Sequence, residues 1–366
     1  MTEVIRVSPD RPDPAAIARA AECLRAGGLV AFPTETVYGL GVHALDRAAL
    51  RRLFEAKQRP ASDPLIVHVA SVEQLAPLVA AVPDAARMLA GLFWPGPLTL
   101  VLTRSAAVPD EVTAGLDTVA VRVPAHPVAR ALITAAGIPV AAPSANLFSR
   151  PSPTQASHVL DDLDGRIDLI VDGGSTTIGV ESTVLDLSGD VPTVLRPGAV
   201  TVEMLREVLP RVEVHAGSHR TEIGDRRAGA SAPAFETPMR APGMLEKHYS
   251  PRAPLTLFEG RRDAALRALT VAARSALAEG KSVGIIAADE DREALAALGE
   301  DRRILIRTIG SREAVEAVAA RLYASLRELD ASGADVILVR GFPTDGIGVA
   351  VQDRLRRAAA GRIIHC

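Results

Sequence analysis

Aromatic residues are scarce in this chain, at 3% of its 366 residues. The 48% hydrophobic content must therefore come mainly from aliphatic side chains, and these must build the core. The chain therefore has few aromatic residues to form the rows of stacked rings that bind single-stranded nucleic acids. Cysteine is scarce as well, since only Cys23 and Cys366 are present. Two cysteines exclude a disulfide framework and a cysteine-based zinc site.

A strong charge imbalance and long apolar runs are also missing. The formal net charge is -3, so no global basic field drives the chain onto nucleic acid or anionic membrane, although a local basic patch is compatible with it. The N-terminal MTEVIRVSPD lacks the apolar core of a signal peptide. No run approaches the roughly 18 apolar residues that a membrane helix needs. We therefore expect a cytoplasmic protein with no membrane partner.

The helix and strand patterns divide the chain into three parts. Residues 1–210 mix strand and helix patterns, which favours one α/β domain with a mixed sheet. Residues 211–254 contain an Ala-, Gly-, Ser-, Pro- and Arg-rich stretch without a period, which predicts a mobile linker or lid. Residues 255–366 alternate strands and helices more regularly, which predicts a smaller doubly wound domain.

Several short motifs do not point to a site. Gly280-Lys281-Ser282 resembles the end of a P-loop, but it lacks the earlier glycine and lies at a helix-to-strand turn. Gly39-Leu40-Gly41 and Gly346-Ile347-Gly348 lack the third glycine of a dinucleotide fingerprint. HExxH and GxSxG are absent, so metalloprotease and serine-hydrolase functions lose their main support.

Polar side chains collect where loops leave apolar strands, which is where rigid scaffolds carry their binding groups. The first such stretch is PTETVYGLG, residues 33–41, with the Thr34 and Thr36 hydroxyls in a glycine-flanked turn. This chemistry suits a small polar ligand. The competing interpretation is that these groups satisfy the backbone of the turn, and this stretch alone favours it.

Two cations follow in KQRP. Pro60 keeps the chain extended, so Lys57 and Arg59 can converge on one anion, as polyphosphate binding requires. The alternative is that both complement the dipole of a helix near 46–57. Asp63 follows in the same loop. His68 lies in the apolar run IVHV, where a histidine is more often a hydrogen-bonded core residue than a catalyst.

Arg122 stands inside VAVRVP, where a charge is costly unless it is paired. A carboxylate or phosphate ligand would pair it, and an internal Asp or Glu would do so equally well. Ser144 and Asn146 in PSAN point the same way if the chain is extended. Ser152, ESTV at 181–184 and LRPG at 195–198 add hydroxyls and a further cation. Together these groups match a nucleoside triphosphate and a small zwitterion.

The ordered set PTETVYGLG, KQRP, VRVP, PSAN, ESTV and LRPG resembles the YrdC-type threonylcarbamoyl-AMP synthases, which are marked by Lys-x-Arg and Ser-x-Asn. The likeness covers roughly residues 12–205. APGM at 241–244 and HYSP at 248–251 resemble the linker of the long, two-domain form. The resemblance implies a twisted α/β domain with a concave basic site, a linker that folds over the ligands, and a Rossmann-like second domain.

The resemblance also implies an activity and a site. The implied reaction makes L-threonylcarbamoyl-AMP from L-threonine, bicarbonate or CO2, and ATP with Mg2+, releasing pyrophosphate, and supplies a tRNA threonylcarbamoyl-transferase complex. The implied threonine side comprises Thr34, Thr36, His68, Arg122 and Ser182. The implied ATP side comprises Lys57, Arg59, Asp63, Thr118, Ser144, Asn146, Ser152 and Arg196, with Lys57 and Arg59 as the catalytic pair. The implied lid comprises Pro242, Gly243, Met244, His248 and Tyr249. We expect replacement of Lys57 and Arg59 by alanine to abolish turnover without unfolding the domain, and no protein ligand to Mg2+ is implied.

Three other interpretations stay open at this stage. A concave basic surface would suit an RNA-binding module, whose affinity would fall steeply with salt. A carbamoyl-phosphate enzyme is a second possibility, because related domains occur in hydrogenase-maturation proteins, although the zinc-finger segments of those proteins are excluded here by the cysteine count. The third is that the C-terminal unit is a purely structural cover.

Overall fold

The computed structural model describes residues 1–215, 238–245 and 247–366. The predicted linker, 211–254, lies partly outside the described residues. Its first described residues form a short strand, Glu213–Val214, that joins the edge of the N-terminal sheet.

Within the described residues the N-terminal domain is built on one mixed sheet of eleven strands. The strands in chain order are β1 (Glu3–Arg6), β2 (Val30–Pro33), β3 (Tyr38–His43), β4 (Ile66–His68), β5 (Leu98–Thr103), β6 (Thr118–Arg122), β7 (Val140–Ala141), β8 (Leu169–Asp172), β9 (Thr183–Asp186), β10 (Thr193–Arg196) and β11 (Glu213–Val214). Their order across the sheet is β1-β8-β2-β3-β7-β4-β6-β5-β9-β10-β11. Parallel pairs such as β4/β6 alternate with antiparallel pairs such as β5/β6.

Helices cover this sheet. They are α1 (Pro14–Arg25), α2 (Arg47–Lys57), α3 (Asp84–Phe93), α4 (Asp110–Thr113), α5 (Pro127–Ala136), α6 (Ala156–Leu163) and α7 (Val202–Arg206). Asp13 and Asp46 cap α1 and α2 by accepting backbone N–H groups of the first turn. Aliphatic side chains fill the core, including the cluster that packs α1 and α5 against β2 and β8.

The C-terminal domain has a five-stranded parallel sheet in the order β14-β13-β15-β12-β16. Its strands are β12 (Leu255–Glu259), β13 (Val283–Ala287), β14 (Ile304–Thr308), β15 (Val336–Arg340) and β16 (Ile363–His365). Its helices are α8 (Arg262–Ala278), α9 (Arg292–Leu295), α10 (Val315–Ala331) and α11 (Gly348–Ala359). The expected fold class, a mixed α/β domain followed by a smaller doubly wound domain, is confirmed. Among the described residues, no helix is both long and apolar enough to span a bilayer.

The stretch predicted as a glycine-flanked turn is mostly strand. β3 runs from Tyr38 to His43 and pairs with β2, so the turn is confined to the residues between Pro33 and Tyr38. Gly41 permits this pairing, because a Cβ there would lie 2.7 Å from the Phe32 ring and 2.9 Å from Val140. Glycine is needed here for close packing against β2 and β7, and this requirement is invisible in the local sequence.

Candidate functional site

A pocket lies where several strands of the N-terminal sheet end. His68 and Arg122 are the last residues of the parallel strands β4 and β6 and lie opposite each other in the register. Arg196 ends β10, and Ser182 precedes the antiparallel strand β9, so these two also meet. Of the predicted site residues, the pocket is lined by Thr34, Thr36, Arg59, His68, Arg122, Ser144, Ser182, Arg196, Pro242, Gly243, His248 and Tyr249.

Arg122 is paired inside the protein, as one of the two interpretations of its buried charge anticipates. Its Nη2 lies 2.6 Å from a carboxylate oxygen of Glu35, and its Nη1 donates to the Thr36 hydroxyl at 3.1 Å. Its Nε donates to the Gly96 carbonyl at 3.0 Å. A guanidinium has five N–H donors, so these three contacts leave two N–H groups without an acceptor in the described part of the chain. Glu35 therefore fixes the position of the Arg122 side chain without occupying all of its N–H donors.

The hydroxyls beside Arg122 are fixed by the turn. The Thr34 Oγ1 donates to the Val37 carbonyl at 2.6 Å and lies 2.8 Å from the Thr36 Oγ1. Burial raises the pKa of Glu35, but the Arg122 charge and its hydrogen bond outweigh burial and hold that pKa below its usual value. Glu35 is therefore ionised at neutral pH.

His68 faces the pocket as a neutral imidazole. Burial and the neighbouring Arg122 charge lower the pKa of His68 to about 3. Its Nδ1 is buried and has no hydrogen-bond partner among the described residues. His68 lines the pocket and carries one unpaired polar atom, so it does not match the fully satisfied core residue that its apolar run favours.

Arg59 and Arg196 bring two more guanidinium groups to the pocket wall. Arg59 lies two residues after the end of α2. Its Nε donates to the Asp63 carbonyl at 3.1 Å and its Nη2 to the Pro64 carbonyl at 2.8 Å. The Nη2 also pairs with the Asp63 carboxylate. Both N–H groups of its Nη1 remain without an acceptor in the described part of the chain. Arg196 contacts the Ser182 carbonyl and hydroxyl, and its Nη1 donates to the Pro242 carbonyl at 3.1 Å. Asp63 therefore orients Arg59 and does not line the pocket.

Lys57 does not line the pocket. Its Nζ donates to the Ser144 carbonyl at 2.5 Å and to the Asn146 carbonyl, from a fully buried position. Burial and the Arg59 charge hold the pKa of Lys57 well below its usual range. The lysine thus ties the PSAN loop to the end of α2, and its removal is expected to loosen that loop, which the sequence-based expectation of an intact domain did not include.

Four further predicted residues lie behind or away from the wall. Asn146 bonds the Leu147 and Arg150 carbonyls through its amide nitrogen, and its Oδ1 is buried without a partner. The Ser152 hydroxyl donates to Glu181. Met244 packs on the apolar cluster around Ala241. Thr118 begins β6, four residues before Arg122, which is about 13 Å along a strand, so its assignment to ATP stays a prediction.

Residues 241–245 and 247–250 form part of the pocket wall through Pro242, Gly243, His248 and Tyr249. We call these residues the cover segment. The Ser250 N–H donates to the Ser149 carbonyl at 2.7 Å. Burial and the Lys57, Arg59 and Arg357 charges lower the pKa of His248 to about 3, although Glu181 opposes them. Burial and the Glu181 charge raise the pKa of Tyr249 to about 12. Both rings are therefore neutral over the pocket.

Two acidic residues were not predicted as site residues. Glu35 binds Arg122, and Glu181 lies in the pocket wall beside Ser182. The signal was available in each case, since both are charged residues inside otherwise small or apolar motifs, where an arginine partner is expected.

The described residues offer no dedicated metal site. They contain no group of three or more His, Cys, Asp or Glu side chains that could surround an ion. The nearest carboxylates, Glu35, Asp63 and Glu181, each lie in an ion pair with an arginine.

Comparison with known proteins agrees with this architecture. Residues 22–198 match the Sua5/YciO/YrdC family, described as Telomere recombination, and residues 200–360 match the family described as Threonylcarbamoyl-AMP synthase, C-terminal domain. A Pyrococcus abyssi protein named Threonylcarbamoyl-AMP synthase is 45% identical over 365 residues, covering 100% of this chain and 99% of that protein. A Bacillus subtilis protein of the same name is 44% identical, covering 95% of this chain and 94% of that protein.

A solved structure shows the same fold. The crystal structure of P. abyssi Sua5 complexed with L-threonine superposes with a TM-score of 0.89 at 44% identity, covering 100% of both chains. Fold and site together define a YrdC-like domain with an arginine-rich pocket, joined to a Rossmann-like domain. The chain belongs to the threonylcarbamoyl-AMP synthase family, in its long two-domain form.

Proposed function

We propose that this chain synthesises L-threonylcarbamoyl-AMP from L-threonine, bicarbonate or CO2, and ATP, with release of pyrophosphate. The observation that carries the proposal is that three buried arginines, Arg59, Arg122 and Arg196, meet threonine and serine hydroxyls in one pocket. The likeness over the whole chain to proteins named Threonylcarbamoyl-AMP synthase, one of them solved with L-threonine, supports it.

L-threonine is proposed to bind at Arg122. The two remaining N–H groups of Arg122 suit one carboxylate in a bidentate contact, and the Thr34 and Thr36 hydroxyls stand beside it. This contact would hold the amine in a fixed place relative to the carbon source, which is worth more than affinity alone. The apolar Val37, Ile66 and Ala142 in the same wall offer a surface for the methyl group, which discriminates by only about 1–3 kcal/mol.

ATP is proposed to bind at Arg59 and Arg196. The neutral amine adds to CO2 with loss of a proton to solvent, or to bicarbonate with loss of a water molecule, and forms a carbamate. A carbamate oxygen then bonds to the α-phosphorus while the bond from that phosphorus to the β-phosphate oxygen breaks and pyrophosphate leaves. Guanidinium groups fixed in advance stabilise the charge that develops on the phosphate oxygens. Lys57 acts through the PSAN loop that it anchors. Mg2+ is proposed to enter with ATP as part of the substrate, and the product to pass to a tRNA threonylcarbamoyl-transferase complex.

The cover segment must move for substrates to enter. The pocket has a volume of only about 50 Å³, whereas pockets for drug-sized ligands have volumes of about 300–1,000 Å³. Opening and closing of such a segment admits substrate and then excludes water.

The test is pyrophosphate release by the purified chain with MgATP and bicarbonate, with and without L-threonine, and mass spectrometry of the nucleotide product. We expect release that depends on threonine and bicarbonate, with threonylcarbamoyl-AMP as product. Release without threonine, or a product of unchanged mass, would contradict the proposal.

The sharpest variant is Arg122→Lys. A lysine cannot bind Gly96, Thr36 and Glu35 and still offer two parallel donors. We expect the KM for L-threonine to rise about 10- to 100-fold, since a hydrogen bond to a charged group contributes about 1.5–3 kcal/mol, while the KM for ATP changes little. Arg104→Lys, in the Arg104–Asp110 ion pair away from the pocket, is the matched control. An equal rise in the KM for L-threonine and the KM for ATP would contradict the assignment of Arg122 to threonine binding.

A further inference from the structure

Glu181 is a buried carboxylate in the pocket wall that the proposed chemistry does not use. It accepts hydrogen bonds from the Ser152 hydroxyl and from the Tyr323 hydroxyl at 3.0 Å. Its other partner is the Arg354 Nε, at 2.9 Å. Tyr323 and Arg354 belong to α10 and α11, so one carboxylate of the catalytic wall is bound mainly by the C-terminal domain.

Arg354 reaches from Glu181 to the cover segment. Its side chain is 0% exposed, and its guanidinium lies 5.4 Å from the centre of the Tyr249 ring. That distance is within the range of a cation–π contact. Tyr249 has a φ of +58°, a left-handed conformation that a tyrosine keeps only when its surroundings hold it. Arg354 is thus one of the groups that hold Tyr249 over the pocket.

Arg354 belongs to a row of oppositely charged side chains on α11. Arg354 Nη1 binds the Asp353 carboxylate at 2.8 Å, and the same carboxylate accepts the Arg357 Nε at 3.0 Å. Arg357 Nη1 then donates to the Leu245 carbonyl of the cover segment at 2.6 Å. Glu181, Arg354, Asp353 and Arg357 sum to zero charge, which is the condition under which buried ionic groups are tolerated.

The cover segment is therefore held from two sides. The N-terminal domain holds it through Arg196 at the Pro242 carbonyl and Ser149 at the Ser250 N–H. The C-terminal domain holds it through Arg354 at Tyr249 and Arg357 at Leu245. Glu181 is the point where the two sets of contacts join.

We infer that Glu181 and Arg354 are positioning residues: their ion pair couples the C-terminal domain to the pocket and sets the fraction of molecules in which the cover segment is closed. Neither residue is required to touch the reacting atoms. The kinetic part of this inference rests on the proposed function. It assigns the C-terminal domain a task in substrate binding that differs from that of a purely structural cover.

The first experiment is hydrogen–deuterium exchange of the full-length protein without substrates, comparing wild type with Arg354→Met. Methionine keeps much of the side-chain volume but leaves Glu181 without its cation. We expect the amides of residues 247–250 to exchange at least about tenfold faster, because breaking a buried pair from one side opens the structure locally. The amides of β12–β15 should keep their wild-type protection.

The second experiment measures KM and kcat. Substrates enter while the cover segment is open and are retained when it closes over them, so weaker closing should raise the KM values for ATP and L-threonine together by at least about tenfold. At saturating substrate the closed form is restored, and kcat should stay near the wild-type value. Arg354→Lys keeps the positive charge but lacks the planar guanidinium. Its KM values should lie between those of the wild type and those of Arg354→Met, so the test stays valid if the methionine variant folds poorly.

Arg327→Met is the matched control. Arg327 is a buried arginine of α10 that also crosses between the domains, to Asp162 at 2.6 Å and the Pro151 carbonyl, but it does not contact the cover segment. The Arg327→Met substitution should lower thermal stability without changing hydrogen–deuterium exchange at residues 247–250 or the KM for either substrate. Glu181→Gln added to Arg354→Met should cause no further loss, because both changes break the same interaction.

Equal effects of Arg354→Met and Arg327→Met on exchange and KM would overturn the inference, since both would then act only through the domain interface. A loss of kcat with unchanged KM would also overturn it. If the wild-type protein makes no product, the proposed function fails, whereas the exchange experiment still decides whether Arg354 holds the cover segment.

Discussion

At the scale of single residues, burial decides what each ionisable group contributes. Lys57, Arg122 and Glu181 all lie in the interior, and each keeps its place through specific acceptors or a counter-charge. Because an unpaired buried charge is expensive, these contacts fix side-chain positions with little freedom. The pocket is consequently arranged before any ligand binds, which suits electrostatic catalysis.

The buried histidines predict a pH dependence of stability. The pKa of His68 is about 3 in the folded chain, below its ordinary 6.5. Between these values the unfolded chain binds the extra proton, so the stability contributed by His68 is complete above pH 6.5 and is lost as the pH falls toward 3. At pH 5 the loss is about 2 kcal/mol. Between pH 7.5 and pH 5, the free energy of unfolding of His68→Gln should therefore fall by about 2 kcal/mol less than that of the wild type.

Urea unfolding at the two pH values measures this difference. Glu35, which faces His68, stays ionised over this range, because the Arg122 charge outweighs burial and holds the pKa of Glu35 below its usual value. His365→Gln, on the exposed β16, is the control and should keep the wild-type difference. An unchanged pH dependence in His68→Gln would show that His68 is not held neutral in the folded state.

At the scale of elements, the β2–β3 hairpin shows a close approach that requires glycine. A methyl group on Gly41 would meet the Phe32 ring at 2.7 Å and Val140 at 2.9 Å. We expect Gly41→Ala to lower the free energy of unfolding by about 1–3 kcal/mol, the usual cost of overpacking. Because the hairpin carries Thr34 and Thr36, the KM for L-threonine should also rise.

Gly91→Ala is the control for that change. Gly91 lies in α3, and a Cβ there would meet nothing within 4 Å. Alanine in a helix should stabilise the protein by about 0.5–1 kcal/mol. Denaturant unfolding of both variants distinguishes a steric requirement from general intolerance of alanine, and stabilisation by Gly41→Ala would contradict the close-packing argument.

Regular periodicity made most elements predictable. The pattern of apolar residues alone predicts helices at 14–27, 262–279 and 348–360, which correspond to α1, α8 and α11. It also predicts strands at 98–103 and 169–172, which correspond to β5 and β8. β3 was missed, because its two glycines indicate a turn when only neighbours along the chain are considered. Its strand conformation is enforced by pairing with β2 and β7.

At the scale of the whole molecule, the two domains are joined by buried ion pairs beside the pocket. Asp162 of α6, with a side chain that is 0% exposed, binds Arg150 of its own domain and Arg327 of α10. Arg150 also reaches Asp330. Replacing one member of a buried network leaves the others unpaired, which costs about 3–5 kcal/mol.

We expect Asp162→Asn to uncouple the domains. Scanning calorimetry should show one unfolding transition for the wild type and two for Asp162→Asn, because the domains then lose their shared interactions. Asp161→Asn, at the exposed neighbouring position, should keep the single transition. A single transition at the wild-type temperature in Asp162→Asn would show that this network does not couple the domains.

The sequence by itself determined the two sheets, most helices, the family and the set of polar groups that form the pocket, because periodicity, capping and ordered motifs are local properties of the chain. Only the tertiary structure decided which of those groups face the cavity. Lys57 turned inward to backbone carbonyls, Arg122 took Glu35 as its partner, and Glu181 bound Arg354, 173 residues away. The physical reason is that a buried charge is stabilised by whichever counter-charge or dipole folding brings within about 3 Å. Such partners are distant in sequence, and no local pattern specifies them.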